Sequence, residues 1–172
     1  MISGVSPLVA ELKARAEAGR PVTIGLAGCG QMGTDIVVQL NRMPGLRLGA
    51  VAEMRPPQAL AATTLAGFPD EATVHADSAA EIDSAIERGR VAITSNLDAL
   101  ARAGRVEVVI DATGNPNIGT RFALDAIANG KHVVMLNVEA DITIGRHLHE
   151  EARRAGVIYT GAAGDEPAAT LE

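Results

Sequence analysis

The chain has 172 residues, a net charge of −6, and 47% apolar, 21% charged and 2% aromatic residues. That length fits one domain. The acidic balance and the scarcity of rings for base stacking argue against nucleic acid as a partner, and the single cysteine, Cys29, excludes an internal disulfide framework. No basic stretch leads into an apolar segment at the N-terminus, and no apolar run reaches membrane-spanning length, so the expectation is a cytoplasmic protein with no membrane partner. With Trp absent, Ala, Val, Leu and Ile must build the core, which suits parallel strands under Ala-rich helices.

Ser6 is placed to cap a first helix, with Pro7 in its first turn, Leu8, Val9, Leu12 and Ala16 as an apolar stripe, and Gly19 as its stop. Residues 22–27 form a short, nearly continuous apolar run, the pattern of a strand buried on both faces. A helix over 32–43 follows, with Ile36, Val37 and Leu40 at helical spacing, and Pro44-Gly45 stops it. A second strand covers 46–52. Beyond Pro56-Pro57 the pattern predicts a helix over 58–66, a connection over 67–77, a helix over 78–88 and a short third strand over 91–94. Ser95 is expected to cap a helix ending at 103. Strands over 106–110, 132–136 and 157–160 alternate with helices over 117–129 and 143–155. Parallel strands need such right-handed crossovers, so the expected architecture is α/β: a doubly wound parallel sheet of the Rossmann type, six strands in the order 3-2-1-4-5-6.

Gly28-Cys29-Gly30-Gln31-Met32-Gly33 fits G-x-G-x-x-G, with a buried strand ending at the first glycine and an amphipathic helix opening near the third. In that setting Gly28 permits the turn, Gly30 lets a pyrophosphate approach the backbone, and Gly33 lets the helix pack on the sheet. The helix N-terminus offers free N–H groups and a positive dipole end. Gly28, Gly30, Gln31, Met32 and Gly33 are therefore the candidates for holding the phosphates of NAD or NADP. Glu53 lies 20 residues after Gly33, where an acid can accept hydrogen bonds from the adenosine ribose and so favours NAD. Arg55 argues for NADP, because a guanidinium can grip a 2′-phosphate.

Asp111-Ala112-Thr113-Gly114 closes the fourth predicted strand at the crevice where the crossovers diverge. Ala112, Thr113 and Gly114 are small enough for a dinucleotide to pass close to the backbone. Asn137 closes the fifth strand at the nicotinamide end and could bond the carboxamide or ribose; Glu139 could face substrate. Gly164-Asp165-Glu166 follows the sixth strand on the same edge. Glu139 and Asp165 are the candidate catalytic acids, able to orient substrate or relay a proton. Asp141 suits either that role or the N-cap of the helix near Thr143. His147 and His149 are two apart on a helix and face different directions, so no metal site is expected. Cys29 lies inside the phosphate loop, which leaves little room for a redox role.

On these residues the chain resembles the homoserine dehydrogenase-like NAD(P)-binding domains. Within them it is similar to the 1-deoxy-D-xylulose 5-phosphate (DXP) reductoisomerase-like proteins and their SAF-domain-containing relatives. The likeness is carried by GCGQMGTDIV from Gly28, IDATGNP from Ile110, GKHVVMLNVEADITIG from Gly130 and YTGAAGDEP from Tyr159. It implies a nicotinamide-dependent oxidoreductase that reduces a small-molecule carbonyl, such as DXP or a semialdehyde, in isoprenoid or related chemistry. In homoserine dehydrogenase an Asn-Lys pair follows the fifth strand; Glu139 stands where that Lys would fall, whereas the reductoisomerase-like subgroup carries NVEAD as here. The resemblance also implies that residues 1–172 are the dinucleotide-binding domain alone. A catalytic domain, through which a homo-oligomer forms, would then follow residue 172. The rival expectation is an NAD(H)-sensing module without turnover, which a glycine-rich turn serves equally well.

Overall fold

A computed structural model describes residues 7–162. Helix α1 (Pro7–Glu17) leads into β1 (Val22–Ala27), α2 (Gln31–Leu40), β2 (Leu46–Ala52) and α3 (Pro56–Leu65). A 3-10 turn (Asp70–Ala72) and the short β3 (Thr73–His75) come next, followed by α4 (Ala79–Glu87), β4 (Val91–Thr94) and α5 (Leu97–Arg102). The last third holds β5 (Val108–Asp111), α6 (Pro116–Ala128), β6 (His132–Met135), α7 (Val138–Ala155) and β7 (Tyr159–Gly161). All pairings are parallel, in the order β3-β4-β2-β1-β5-β6-β7. This is the doubly wound α/β sheet that the alternation predicts, with seven strands among the described residues rather than six. The extra strand, β3, lies on the edge beyond β4 within what reads as connection.

β1 is the centre of the sheet, and alternate residues send its side chains to opposite layers. Ile24 and Leu26 join Val37, Leu40, Leu48, Val51, Ala59 and Ala62 in a core under α2 and α3. Ala27 belongs to the other core, where Ile82, Ile86, Leu100, Phe122, Ile127 and Leu148 are contributed by α4 to α7. Burial on both faces explains the continuous apolar runs of β1 and β2. The first helix departs from its predicted role: no residue of α1 is buried, and Leu8 and Val9 are 66% and 43% exposed. Ser6 lies outside the described residues.

Several helix starts differ from the sequence reading because another side chain does the capping. Asn96, not Ser95, caps α5, its Oδ1 accepting the Ala99 N–H at 3.1 Å. Asn115 caps α6 one residue before Pro116, accepting the Asn117 and Ile118 N–H groups at 3.1 Å each. The largest shift is in α7, which starts at Val138 rather than 143 because Asn137 Oδ1 accepts the Ala140 N–H at 3.2 Å. Asp141 is thus inside the first turn and is not the cap. Among the described residues no helix is long and apolar enough to cross a membrane.

Candidate functional site

The chain leaves β1 through Gly28, whose φ of +87° is open to glycine alone at little strain. Its N–H donates to the Ala52 carbonyl at 2.8 Å. A Cβ there would lie 2.5 Å from the Ala112 carbonyl oxygen, so the turn is wedged against the end of β5. Gly33, in α2, sits so close to the Gly28 carbonyl that any side chain would overlap it. Gly30 is different. It is the N-cap of α2 with no side-chain cap bond, and a Cβ added there would meet nothing within 4 Å. The first amides of α2 therefore have no intrahelical acceptor and face an open cradle at Gly30. That arrangement fits a pyrophosphate, which would be held by N–H groups and the helix dipole. Gln31 and Met32 occupy the first turn, and Met32 is 54% exposed.

Glu53 leaves β2 with its N–H on the Thr94 carbonyl at 2.8 Å. Its carboxylate turns back over the glycine turn: Oε2 accepts the Cys29 N–H at 2.8 Å and Oε1 the Arg55 N–H at 3.0 Å. It borders a cavity of about 120 Å³ together with Gly28, Met54, Ser95, Leu97, Thr113 and Ile118. A larger cavity of about 390 Å³ shares Ser95, Leu97 and Ile118 and continues between α5 and α6. Of the residues picked out from sequence, Gly28, Glu53 and Thr113 meet around the smaller cavity. Arg55 stands at the start of α3, exposed, and does not line it. Met54, Ser95, Leu97 and Ile118 were not anticipated; they come from three separate crossovers.

At the ends of β5 and β6 the polar groups bond one another. The Ala112 N–H donates to Ala27 O at 2.8 Å, and the Thr113 N–H to Asp111 Oδ1 at 3.0 Å. Asn137, 2% exposed, donates from Nδ2 to Thr113 Oγ1 at 3.5 Å while capping α7 with its oxygen. Gly114 continues the turn with φ +64°. Asp111 is fully buried, and burial raises its pKa above the usual carboxyl value although Thr113 and the Asn137 amide pull it part of the way back; its Oδ2 has no partner in good hydrogen-bond geometry. Sequence reading passed over it as a functional group, although an acid closing the apolar run of β5 was the available signal.

Glu139 is exposed in the first turn of α7. Asp165 lies outside the described residues, as do Gly164 and Glu166. Asp141 accepts the Tyr159 hydroxyl at 2.5 Å, and burial followed by that bond raises the phenol's pKa well above its ordinary value. His149 packs edge-on against Tyr159 at 6.5 Å. Burial pushes the Cys29 thiol up to about 11, which keeps it protonated and unreactive at neutral pH. Among the described residues no group of three His, Cys, Asp or Glu side chains is arranged to hold a metal.

A family model described as "Homoserine dehydrogenase, NAD binding domain" matches residues 28–160. A homoserine dehydrogenase from Methylobacillus glycogenes is 26% identical over 118 residues, which are 69% of this chain and 25% of that protein. The chain thus spans about a quarter of the length of this curated relative. Among solved structures, a homoserine dehydrogenase from Thiobacillus denitrificans superposes with a TM-score of 0.62 at 22% identity, covering 82% of this chain and 29% of that one. GenD2 of gentamicin A biosynthesis, solved in complex with NAD, gives 0.58 at 19% identity, covering 83% and 34%. At those identities the superpositions speak for the fold.

Proposed function

The chain belongs to the family of homoserine dehydrogenase NAD-binding domains, and from that membership we propose how it holds a nicotinamide dinucleotide and what the holding serves. It is an NAD(P)-binding domain of the oxidoreductase type. The pyrophosphate rests on the amides of Gly30, Gln31, Met32 and Gly33. The adenosine fills the cavity beside Glu53, which receives the ribose hydroxyls, and the nicotinamide half runs past Ala112, Thr113 and Gly114 towards Asn137. The bound cofactor supplies or accepts hydride; the chain's own contribution is to place and orient it. The open cradle at Gly30, next to a fixed carboxylate over a cavity, is the observation that carries this reading. Calorimetric titration with NAD, NADP and ADP tests it, and failure of all three to bind would overturn it.

The finer reading is reduction of a small carbonyl compound, a keto sugar phosphate such as DXP or a semialdehyde, with Glu139 and Asp165 as the acids that orient substrate. It is supported by the Asn137–Asp141 stretch, with Glu139 exposed on the nicotinamide side. Oxidation of reduced cofactor, followed against a panel of aldehydes and keto sugar phosphates, tests the substrate class. Tight cofactor binding with no turnover on any of them would favour an NAD(H)-sensing module instead.

A further inference from the structure

Asp111 is a buried carboxyl with one oxygen lacking a partner in good hydrogen-bond geometry. Nearly all buried polar groups find partners, because an orphaned one is destabilising. A carboxyl retained in that condition calls for a role, and its neighbours indicate which. It ends β5, between β1 and β6, where the direction of the crossovers reverses. It lines neither cavity, so it acts on a ligand only through other residues. Its Oδ1 fixes the backbone of Thr113, which does line the smaller cavity. Beside Oδ2 lies the amide of Asn137, already anchored as the cap of α7 and donating at long range to Thr113 Oγ1.

The remaining wall comes from α6. A Cβ on Gly119 would lie 2.7 Å from Asn137 Nδ2 and 3.1 Å from Asp111 Cγ, and would overlap Asp111 Oδ2. Helix α6 thus closes on the pair as tightly as a glycine allows. Three elements converge on one carboxyl, which braces Thr113 at the edge of the smaller cavity and stands beside Asn137 at the end of β6.

We infer that Asp111 is a positioning residue that sets Thr113 and Asn137 to receive the nicotinamide half of the dinucleotide. The inference rests on the cofactor reading above and goes beyond it by separating the two halves of the ligand. The adenosine half meets Gly28, Glu53, Leu97 and Ile118 and reaches Thr113 only at the edge of that cavity, away from Asn137, so ADP should sense a change at Asp111 much less than NAD does.

The test is titration of the whole chain with NAD and with ADP, for wild type, Asp111→Asn and Gly119→Ala. Asp111→Asn keeps an acceptor for the Thr113 N–H but sets an NH2 group against that of Asn137. Gly119→Ala displaces the same pair from α6 while keeping the carboxyl group itself. The expected result is a loss of about tenfold in NAD affinity, a little over one kilocalorie in binding free energy, with ADP affinity kept within about twofold in at least one variant. Retained ADP affinity also reports that the variant is folded. Equal losses for NAD and ADP in both variants would mean a structural role and would overturn the inference, as would no change for either ligand. Wild-type chain that binds NAD no tighter than ADP would overturn it while leaving the adenosine site standing. Wild-type chain that binds neither would remove the cofactor reading and the inference together.

Discussion

The Tyr159 hydroxyl donates a 2.5 Å hydrogen bond to Asp141 Oδ1, across 18 residues of chain, and so fastens the edge strand β7 to the first turn of α7. Among the described residues β7 is three residues long and pairs with β6 alone. Its backbone ladder there is short, and a side-chain bond to the adjacent helix adds to its attachment.

Tyr159→Phe should lower stability by about 1–2 kcal/mol, the range for a bond to a carboxylate discounted for the partial exposure of Asp141. The midpoint of urea unfolding reads the loss. ADP affinity should stay unchanged, since β7 lies at the far side of the sheet from the cavity bordered by β2 and β4. An unfolding midpoint that does not move would show that the bond is not made in solution.

Gly30 and Gly33 should respond oppositely to a side chain. Gly30 has φ −69° and open space about its Cα, so Gly30→Val should fold with a nearly unchanged melting temperature and lose NAD and ADP binding together. Gly33→Ala would set a methyl into the Gly28 carbonyl and should destabilise the fold by about 1–3 kcal/mol. Thermal melts and titrations of the two proteins check both halves. A Gly30→Val protein that keeps its ADP affinity would remove the pyrophosphate from the cradle.

Much of this was legible in the sequence where the determinants are local. β1 and β2 announce themselves by apolar runs because both faces are covered, and the glycine turn by its own spacing. β3 does not, because Thr73–His75 is a three-residue edge strand with its side chains partly or fully exposed. The stripe of Leu8, Val9 and Leu12 has helical period, but period does not say which surface a helix covers, and α1 covers little. Asp141 was open to a capping role because its true partner, Tyr159, lies a crossover away. Ser95, Leu97 and Ile118 meet only after α5 and α6 are packed, so no pattern in the chain marks them as one wall. Asp111 looks like an ordinary strand end until Gly119 and Asn137 close on it.

The raised pKa of Asp111 has a signed consequence for stability. The folded state holds this proton to a higher pH than the unfolded chain, whose carboxyl has the ordinary value of about 3.9. The group's contribution to stability is therefore fully present below about pH 4 and is lost as pH rises through the folded-state value. Asp111→Asn carries no such proton. Its stability relative to wild type should rise by about 1.4 kcal/mol per pH unit above pH 4, until the folded-state pKa is passed, and then level off. Urea unfolding of both proteins between pH 4 and 8 measures the gap. A gap that is flat across this range would show that burial does not perturb the carboxyl.

The choice between NAD and NADP turns on Glu53, and the structure sharpens the competition there. Its two carboxylate oxygens are held by the Cys29 and Arg55 N–H groups, so it cannot swing clear of an incoming 2′-phosphate without breaking both bonds. Free lone pairs on the same oxygens remain to accept ribose hydroxyls. A phosphate of like charge should thus cost about 1–3 kcal/mol, one to two decades of affinity, and the wild-type chain should prefer NAD. Glu53→Ala removes the repulsion and should move the NAD-to-NADP affinity ratio towards NADP by about tenfold or more. It also frees the Cys29 amide, so some loss for both cofactors is expected. Glu53→Gln keeps an acceptor for that amide and separates the charge from the scaffold: its ratio should shift in the same direction with less overall loss. Arg55, exposed at the start of α3, can reach a phosphate only from outside the cavity, and Arg55→Ala should weaken NADP alone. All dissociation constants must be taken at one ionic strength, because phosphate contacts are screened by salt. Should both Glu53 variants keep the wild-type ratio, the carboxylate serves only to brace the glycine turn, and selection between the two cofactors lies elsewhere in the protein.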